Sequence, residues 1–403
     1  MKILHTSDWH LGRRLGDKNR AKEHDMFLSW LVGQIREKYI DVLIVAGDIF
    51  DTGYPPNFAL KQYYNFLRHI PDTPCRNVVI VGGNHDAVST LNAPRDLLKY
   101  LNIYVIGGAE KDIAREAIVM KNGNGSATGI VCAVPFLRPR DIRKSVAGET
   151  YEQIEKSVAE GICRHYQHVC EHALTLKKEF GQHLPIIATG HLFAAGCTKT
   201  NSVRDIYVGD MGRVGADIFP REFDYVALGH IHQALRVNKQ EHVRYSGAPL
   251  PLSFSEAGTK KLVLVAEFDT GGFTGVQSVE IPCFRNLIRF EGHLEDIEIQ
   301  LNSCEKNSDR LTPWGQALVE TEYPDPTIHG KVMTMTRGKP IEILMVRIRS
   351  NNKGKNSPDM KNIEYLEDLS PAQVFLKKCE AEGIEGEGKE SLFRTFQELL
   401  LEM

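Results

Sequence analysis

Five short polar clusters have the residue types and spacing to hold metal ions: Asp8-Trp9-His10, Gly47-Asp48-Ile49-Phe50-Asp51, Gly83-Asn84-His85-Asp86, Gly190-His191 and Gly229-His230-Ile231-His232. Asp8, Asp48, Asn84, His10, His191, His230 and His232 together offer two carboxylates, one amide oxygen and four imidazoles. That mixed hard and borderline set suits Mn²⁺, Fe²⁺ or Zn²⁺ and suits Ca²⁺ or Cu⁺ poorly. Seven ligands exceed the needs of one ion. If Asp48 bridges, each of two ions has four protein ligands and keeps open positions for water and substrate. Two ions about 3.5–4 Å apart polarise a phosphoryl oxygen and stabilise both ends of an in-line displacement.

Each piece alone has an ordinary explanation. Asp-x-His near an N-terminus is usually a polar loop, Gly-Asp-x-x-Asp a helix cap, and Gly-His a hydrogen-bonded loop histidine. Their joint placement argues otherwise, because each cluster follows a short apolar run: Ile3 to Thr6, Val42 to Ala46, Val78 to Val81, Ile186 to Thr189 and Tyr225 to Leu228. Near-continuous apolarity marks strands buried on both faces. Ligands of open α/β sheets bind at the carboxyl ends of the strands, so five distant clusters are expected to converge. The glycines before four of them are expected to let the backbone turn sharply.

Between the runs, Phe27, Trp30, Leu31 and Ile35, then Tyr63, Phe66, Leu67 and Ile70, recur at helical spacing. Strands alternating with helices imply an α/β layered fold with a substantial parallel component. The pattern changes near Pro282. Strands are expected at Leu287 to Phe290, Ala317 to Tyr323 and Ile341 to Ile348, with a helix at Leu294 to Leu301. The organisation expected is therefore residues 1–281 as the large domain, 282–350 as a small α/β module, 351–362 as a polar linker and 363–403 as a helical segment.

The 403 residues, 42% apolar and 25% charged, exclude a disordered or fibrous chain. No apolar run reaches the roughly 18 residues that span a bilayer, and Asp8 and His10 interrupt any signal-peptide pattern, so a soluble cytoplasmic protein is expected. Eight scattered cysteines without a Cys-x-x-Cys pair suggest reduced thiols. The net charge of −3 gives no global footprint for nucleic acid. It is uneven: residues 364–403 hold 10 acidic and 4 basic side chains, leaving −3 − (−6) = +3 on the rest. No Gly-x-x-x-x-Gly-Lys-[Ser/Thr] loop is present, so this chain lacks the usual nucleotide phosphate cradle.

The ordered set resembles the five signature motifs of the calcineurin-like metallophosphoesterase superfamily. Four flanks narrow the resemblance: His5 to Gly12, Ala46 to Gly53, Pro135 to Ile142 (Pro-Phe-Leu-Arg-Pro-Arg-Asp-Ile) and Val243 to Phe254. They look like the SbcD family of nuclease subunits, densely over about residues 1–260 and more loosely beyond. The resemblance implies a layered metallophosphoesterase sandwich, a DNA-capping module at 282–350 and C-terminal partner-binding helices. It implies two Mn²⁺ ions, one held by Asp8, His10, Asp48 and His232 and the other by Asp48, Asn84, His191 and His230.

His85 would stand over the scissile phosphate, where a side chain of ordinary pKa about 6.5 can carry a proton. Archaeal relatives place a second histidine where this chain has Asp51. Asp51 and Asp86 are expected just behind the ligands, Asp51 orienting a histidine. The implied activity is Mn²⁺-dependent, ATP-dependent 3′ to 5′ cleavage of duplex DNA and endonuclease action on single strands. The implied partners are an SbcC-like ATPase, DNA and a second copy of the chain.

Two rivals remain at this point, a phosphatase or phosphodiesterase on another ester and a scaffold that has lost its metals. Phosphatases of this type read Gly-Asp-x-x-Asp-Arg-Gly, whereas Thr52-Gly53 stands here; seven intact ligands argue against the scaffold. Weaker candidates are Arg138, Arg140, Arg143 and Lys144 for a DNA backbone, and His165, His168 and His172 on one helical face. At the C-terminus, Ser370-Pro371 reads as a helix start. Val374, Phe375 and Lys378 follow it, and Leu392, Phe393, Phe396, Leu399 and Leu400 form a second stripe for a partner groove.

Overall fold

The computed structural model describes the chain except residues 145, 147, 181–183, 195–214, 216–217, 306–309, 322–324, 351–370, 385, 387, 390–391, 394 and 397–403. The expected linker, Ser370, Leu399, Leu400 and Cys197 lie outside the described residues. Two six-stranded sheets stack face to face. The first runs Gly272–Glu280, Leu262–Asp269, Lys2–Thr6, Val42–Ala46, Asn77–Val81, Ile103–Ile106, parallel over its last four strands and antiparallel before them. The second runs Leu235–Arg236, Val243–Tyr245, Tyr225–Gly229, Ile186–His191, Ala127–Cys132, Ala117–Lys121, parallel at its centre.

Ile3, Ile44, Val79, Val131, Ile187 and Ala227 fill the space between the sheets, all at 0% exposure. Helices Ala21–Glu37 and Asn57–His69 cover the outer face of the first sheet with Phe27, Leu31, Ile35, Tyr63, Phe66 and Leu67. Helix Tyr151–Glu179 covers the outer face of the second with Val158, Ile162, Tyr166 and Val169. The result is a four-layer α/β sandwich, with each of the five apolar runs in a strand. The antiparallel pairs escaped the sequence reading because half-exposed strands such as Gly272–Glu280 are neither continuously apolar nor cleanly alternating.

Residues 285–350 form a separate parallel sheet of Arg285–Gly292, Leu311–Thr321 and Glu342–Ser350. Helices Leu294–Asn302 and Ile328–Met335 cover it with Ile297, Leu301, Ile328 and Val332. The middle strand starts earlier than its apolar pattern suggests, because Pro313 and Gly315 interrupt the alternation while Trp314 and Gly315 still pair with Glu342 and Ile343. A small cluster of Leu15, Phe254, Leu287 and Trp314 joins this sheet to the sandwich. Beside it the Arg285 guanidinium lies 3.9 Å over the Trp314 ring and 3.2 Å from Glu23. In the tail, Phe375 of helix Pro371–Ala381 stacks on Phe396 at 4.2 Å and lies 6.0 Å from Phe393. Part of the second stripe is thus covered by the first helix, while Leu392 remains 46% exposed.

Candidate metal centre

Strand register brings the polar clusters to one edge. Thr6 pairs with Val45 and Ala46 with Val81, so three chains leave the first sheet together. Gly229 pairs with His191 at the matching edge of the second sheet. The loops are then stitched: Asp8 N–H donates to Gly47 O at 2.9 Å, His10 N–H to Asp48 O at 3.0 Å, and His230 N–H to Asp8 Oδ1 at 2.9 Å across the two sheets.

The backbone is left-handed at Asp8 (φ 52°), His10 (47°), Asp48 (51°) and His230 (101°). Such conformations cost about 1–3 kcal/mol each for residues with a Cβ and persist only where the surroundings over-determine them. The sharp turns were expected at glycines, yet of the four only Gly47 (φ 89°) takes one. The others serve close approach. A methyl at Gly83 would run into the Asp48 carboxylate, and one at Gly229 into Ala46 O.

Asp48 stands at the middle of the site. Its Oδ2 lies 3.3 Å from His191 Nε2, 3.5 Å from His10 Nε2 and 4.0 Å from His85 Nε2. His191 Nε2 is also 3.1 Å from Asn84 Oδ1, and its Nδ1–H donates to Ala46 O at 2.9 Å, which turns Nε2 into the site. Asp8, His10 and His232 present ligand atoms within 4.8 Å of one another, and Asp8, Asp48 and His191 do the same. Asp8 therefore reaches toward both halves of the site. The His230 ring stands 5.4 Å from that of His191. Both ring nitrogens of His10, a residue 1% exposed, lack an aligned hydrogen-bond partner. Burying such groups unpaired is costly. This orphaned imidazole among carboxylates fits a divalent cation.

The electrostatics agree with that fit. Burial lowers His10 and His230, keeping them neutral and ready to donate lone pairs. Burial also opposes charge on His191, but the Asp48 carboxylate and its hydrogen bond outweigh it and raise the ring to about 9. The pair thus favours a proton where a cation would compete with it.

The flanking residues fall as follows. His85 Nδ1–H donates to Asp51 O at 2.7 Å, aiming Nε2 toward Asp48. The Asp51 carboxylate lies 3.3 Å from His10 Nδ1 and accepts from Arg13 at 3.1 Å. Asp86 accepts from the N–H groups of Ile49, Phe50 and Gly83, tying the second cluster to the third. Burial and the Asp48 charge raise Asp86 to about 6 against those three donors. Beneath the site, buried His5 donates to Leu228 O and accepts from the Tyr225 hydroxyl, which joins the two sheets.

Sequence reading missed Arg13, His5 and the buried pair Glu256–Lys261 beside His232. Charged side chains are exposed by default, so nothing local marked that pair as interior.

The weaker candidates add no ligand to the centre. His165 is bound to buried Glu116 at 2.7 Å and His168 is exposed. Among the described residues, every His/Cys/Asp/Glu group able to hold an ion lies at the centre. Arg143 is paired with Glu149 and Arg138 donates to Asp86 O, whereas Arg140 and Lys144 face solvent.

Residues 1–234 match the profile of the calcineurin-like phosphoesterase family. The SbcD component of nuclease SbcCD from Escherichia coli K12 is 37% identical over 396 residues, covering 98% of this chain and 97% of its own length. The chain belongs to the SbcD family. Two further SbcD proteins align over less of it: that of Rhodobacter capsulatus is 33% identical over 70% of this chain and 69% of its own, and that of Bacillus subtilis 31% over 72% of each. Residues 283–382 match the type 5 capsule protein repressor C-terminal domain. As a member of the SbcD family with a phosphoesterase domain, the chain is a phosphodiesterase. No helix among its described residues is long and apolar enough to cross a membrane.

Proposed function

We propose that the chain is the Mn²⁺-dependent DNA nuclease subunit of a cytoplasmic complex with an SbcC-like ATPase, cutting duplex ends from 3′ to 5′ with ATP and opening hairpins and single strands endonucleolytically. The observation that carries the proposal is the placement of Asp48 Oδ2 within 3.5 Å of imidazoles from both sides of the site, one from each sheet. Asp8, His10, Asp48 and His232 would hold one ion and Asp48, Asn84, His191 and His230 the other. Bound there, the ions would supply Lewis-acid activation of the phosphodiester and charge neutralisation.

The rest is the work of side chains. Asp48 sets the spacing between the two halves. Arg13 and Asp51 orient His10. His85, outside the ligand set and fixed through Asp51 O, carries the proton to the departing oxygen. Imidazoles outnumber carboxylates, which favours Mn²⁺ over Mg²⁺.

The 282–350 module would act as the DNA cap, and the helical segment 363–403 beyond the linker 351–362 as the dock for the ATPase. A homodimer is supported by the apolar surface of helices Asn57–His69 and Arg95–Lys99 and the residues beside them, where Phe58, Leu97 and Leu101 are 38%, 71% and 48% exposed. Leu98, beside Leu97 in sequence, is in the core.

The test is incubation with linear, circular and hairpin DNA in Mn²⁺, with and without the ATPase and ATP. The expected result is metal-dependent nicking by the chain alone and ATP-stimulated resection by the pair, both abolished by chelation. Truncation after Asn362 should spare nicking and abolish co-purification with the ATPase. Cleavage that survives chelation would overturn the reading.

A further inference from the structure

A buried ion pair stands directly behind His232. Glu256, 5% exposed, ends the short 3-10 turn Phe254–Glu256, and Lys261 is 8% exposed. Glu256 Oε1 lies 3.7 Å from His232 Nδ1, within ion-pair distance. Glu256 Oε2 accepts from the Lys261 ammonium and from Leu252 N–H. The same ammonium donates to His232 O at 3.1 Å. Backbone and ring of one residue are therefore held by one carboxylate–ammonium pair.

Stability does not account for that arrangement, since desolvating two charges offsets much of their attraction and apolar residues of similar volume do as well or better. Orientation does account for it. The turn is fixed from the outside as well, because Phe254 packs among Leu15, Leu287 and Trp314. With Nδ1 facing a carboxylate, Nε2 is the other ring nitrogen, and His232 shares a space of 4.8 Å with Asp8 and His10. Histidine ligands whose second nitrogen meets a carboxylate are fixed in tautomer and made more basic.

We propose that Glu256, braced by Lys261, is a positioning residue for His232: its carboxylate accepts a hydrogen bond from Nδ1–H and so would turn Nε2 toward the ion shared with Asp8, His10 and Asp48. The assignment rests on the dimetal reading above. The test is calorimetric titration of the full, chelator-stripped chain with Mn²⁺.

The wild-type chain should bind two ions. Glu256→Gln should weaken one site by about 10–100-fold and leave the other within about twofold, with the melting temperature in chelator shifted by no more than about 4 °C. In a His232→Ala background the same substitution should change Mn²⁺ binding by less than about twofold, because its partner is gone. A merely structural role would lower both sites, or act equally in both backgrounds, and would overturn the proposal; so would Glu256→Gln with wild-type binding. Should the glutamine variant fail to fold, Glu256→Asp keeps the charge beside Lys261 but withdraws it by one methylene, and must weaken the same single site. A wild-type chain that binds no Mn²⁺ fails the dimetal reading itself, whereas two unperturbed sites in the variants fail only the role of Glu256.

Discussion

The four-layer sandwich, whose mixed sheets are parallel at their centres, and the parallel sheet at 285–350 are both covered by helices, yet among the described residues only the sandwich builds a polar centre. In the sandwich, the ends of strands from two facing sheets meet, and four of the seven proposed ligands sit in left-handed backbone beneath a core of fully buried side chains. In the small module three strands form one sheet, and no metal-capable cluster falls among its described residues. Strained, desolvated polar groups need surroundings that over-determine them. A seam between two large sheets supplies that, and a single three-stranded layer does not. The small module is instead held by a four-residue apolar contact and the Glu23–Arg285 pair.

Substitutions should therefore act in an all-or-none manner at the seam and locally in the module. The largest effect is expected from Asp48→Asn, which removes the charge shared by both halves. Mn²⁺ uptake by calorimetry should vanish and cleavage fall by at least about 10³-fold, the several kcal/mol that metal activation provides. Retention of both ions would show that the two halves of the site do not depend on Asp48.

Next, His85→Ala should keep two ions and lose about 10²–10⁴-fold in turnover, the usual size of a general acid's contribution. Full cleavage by that variant would remove His85 from the mechanism.

On the other side of the comparison, Trp314→Ala should cost the junction about 3–5 kcal/mol and appear as a separate early transition in scanning calorimetry, with two Mn²⁺ ions still bound. Loss of both ions there would mean that module and seam are one cooperative unit.

The smallest effect sharpens the seam itself. His191, raised to about 9 beside Asp48, must release a proton when a cation enters. Protons compete below that value, so affinity should rise with pH by up to about tenfold per unit between pH 7 and 9 for one proton released. Equal titrations in buffers of different ionisation heat would show no proton release and would count against the shared proton.

How much of this was legible beforehand differs by residue. The convergence of the polar clusters, the strand ends and the helix faces at Phe27 to Ile35 and Tyr63 to Ile70 were readable because apolar period and polar punctuation are local signals. The strand Leu311–Thr321 was only half readable, since Pro313 and Gly315 break its alternation. Leu98 packs in the core while Leu97 and Leu101 stay exposed, a division that a short amphipathic segment does not reveal because its spacing does not say which leucine faces the sheet.

By itself, then, the sequence determined which atoms were available to a metal and that five strands would carry them to one edge. Only the tertiary structure decided that Asp8, His10, Asp48 and His230, rather than Gly83, Gly190 and Gly229, would adopt left-handed backbone, because that choice depends on how tightly Gly83 and Gly229 must pass Asp48 and Ala46. It also decided that Glu256 and Lys261 would be interior. Nothing in their types or spacing places a charge inside. Only the meeting of the His232 loop, the Phe254 turn and the junction with Trp314 removes water from around them and leaves each the other's counter-charge.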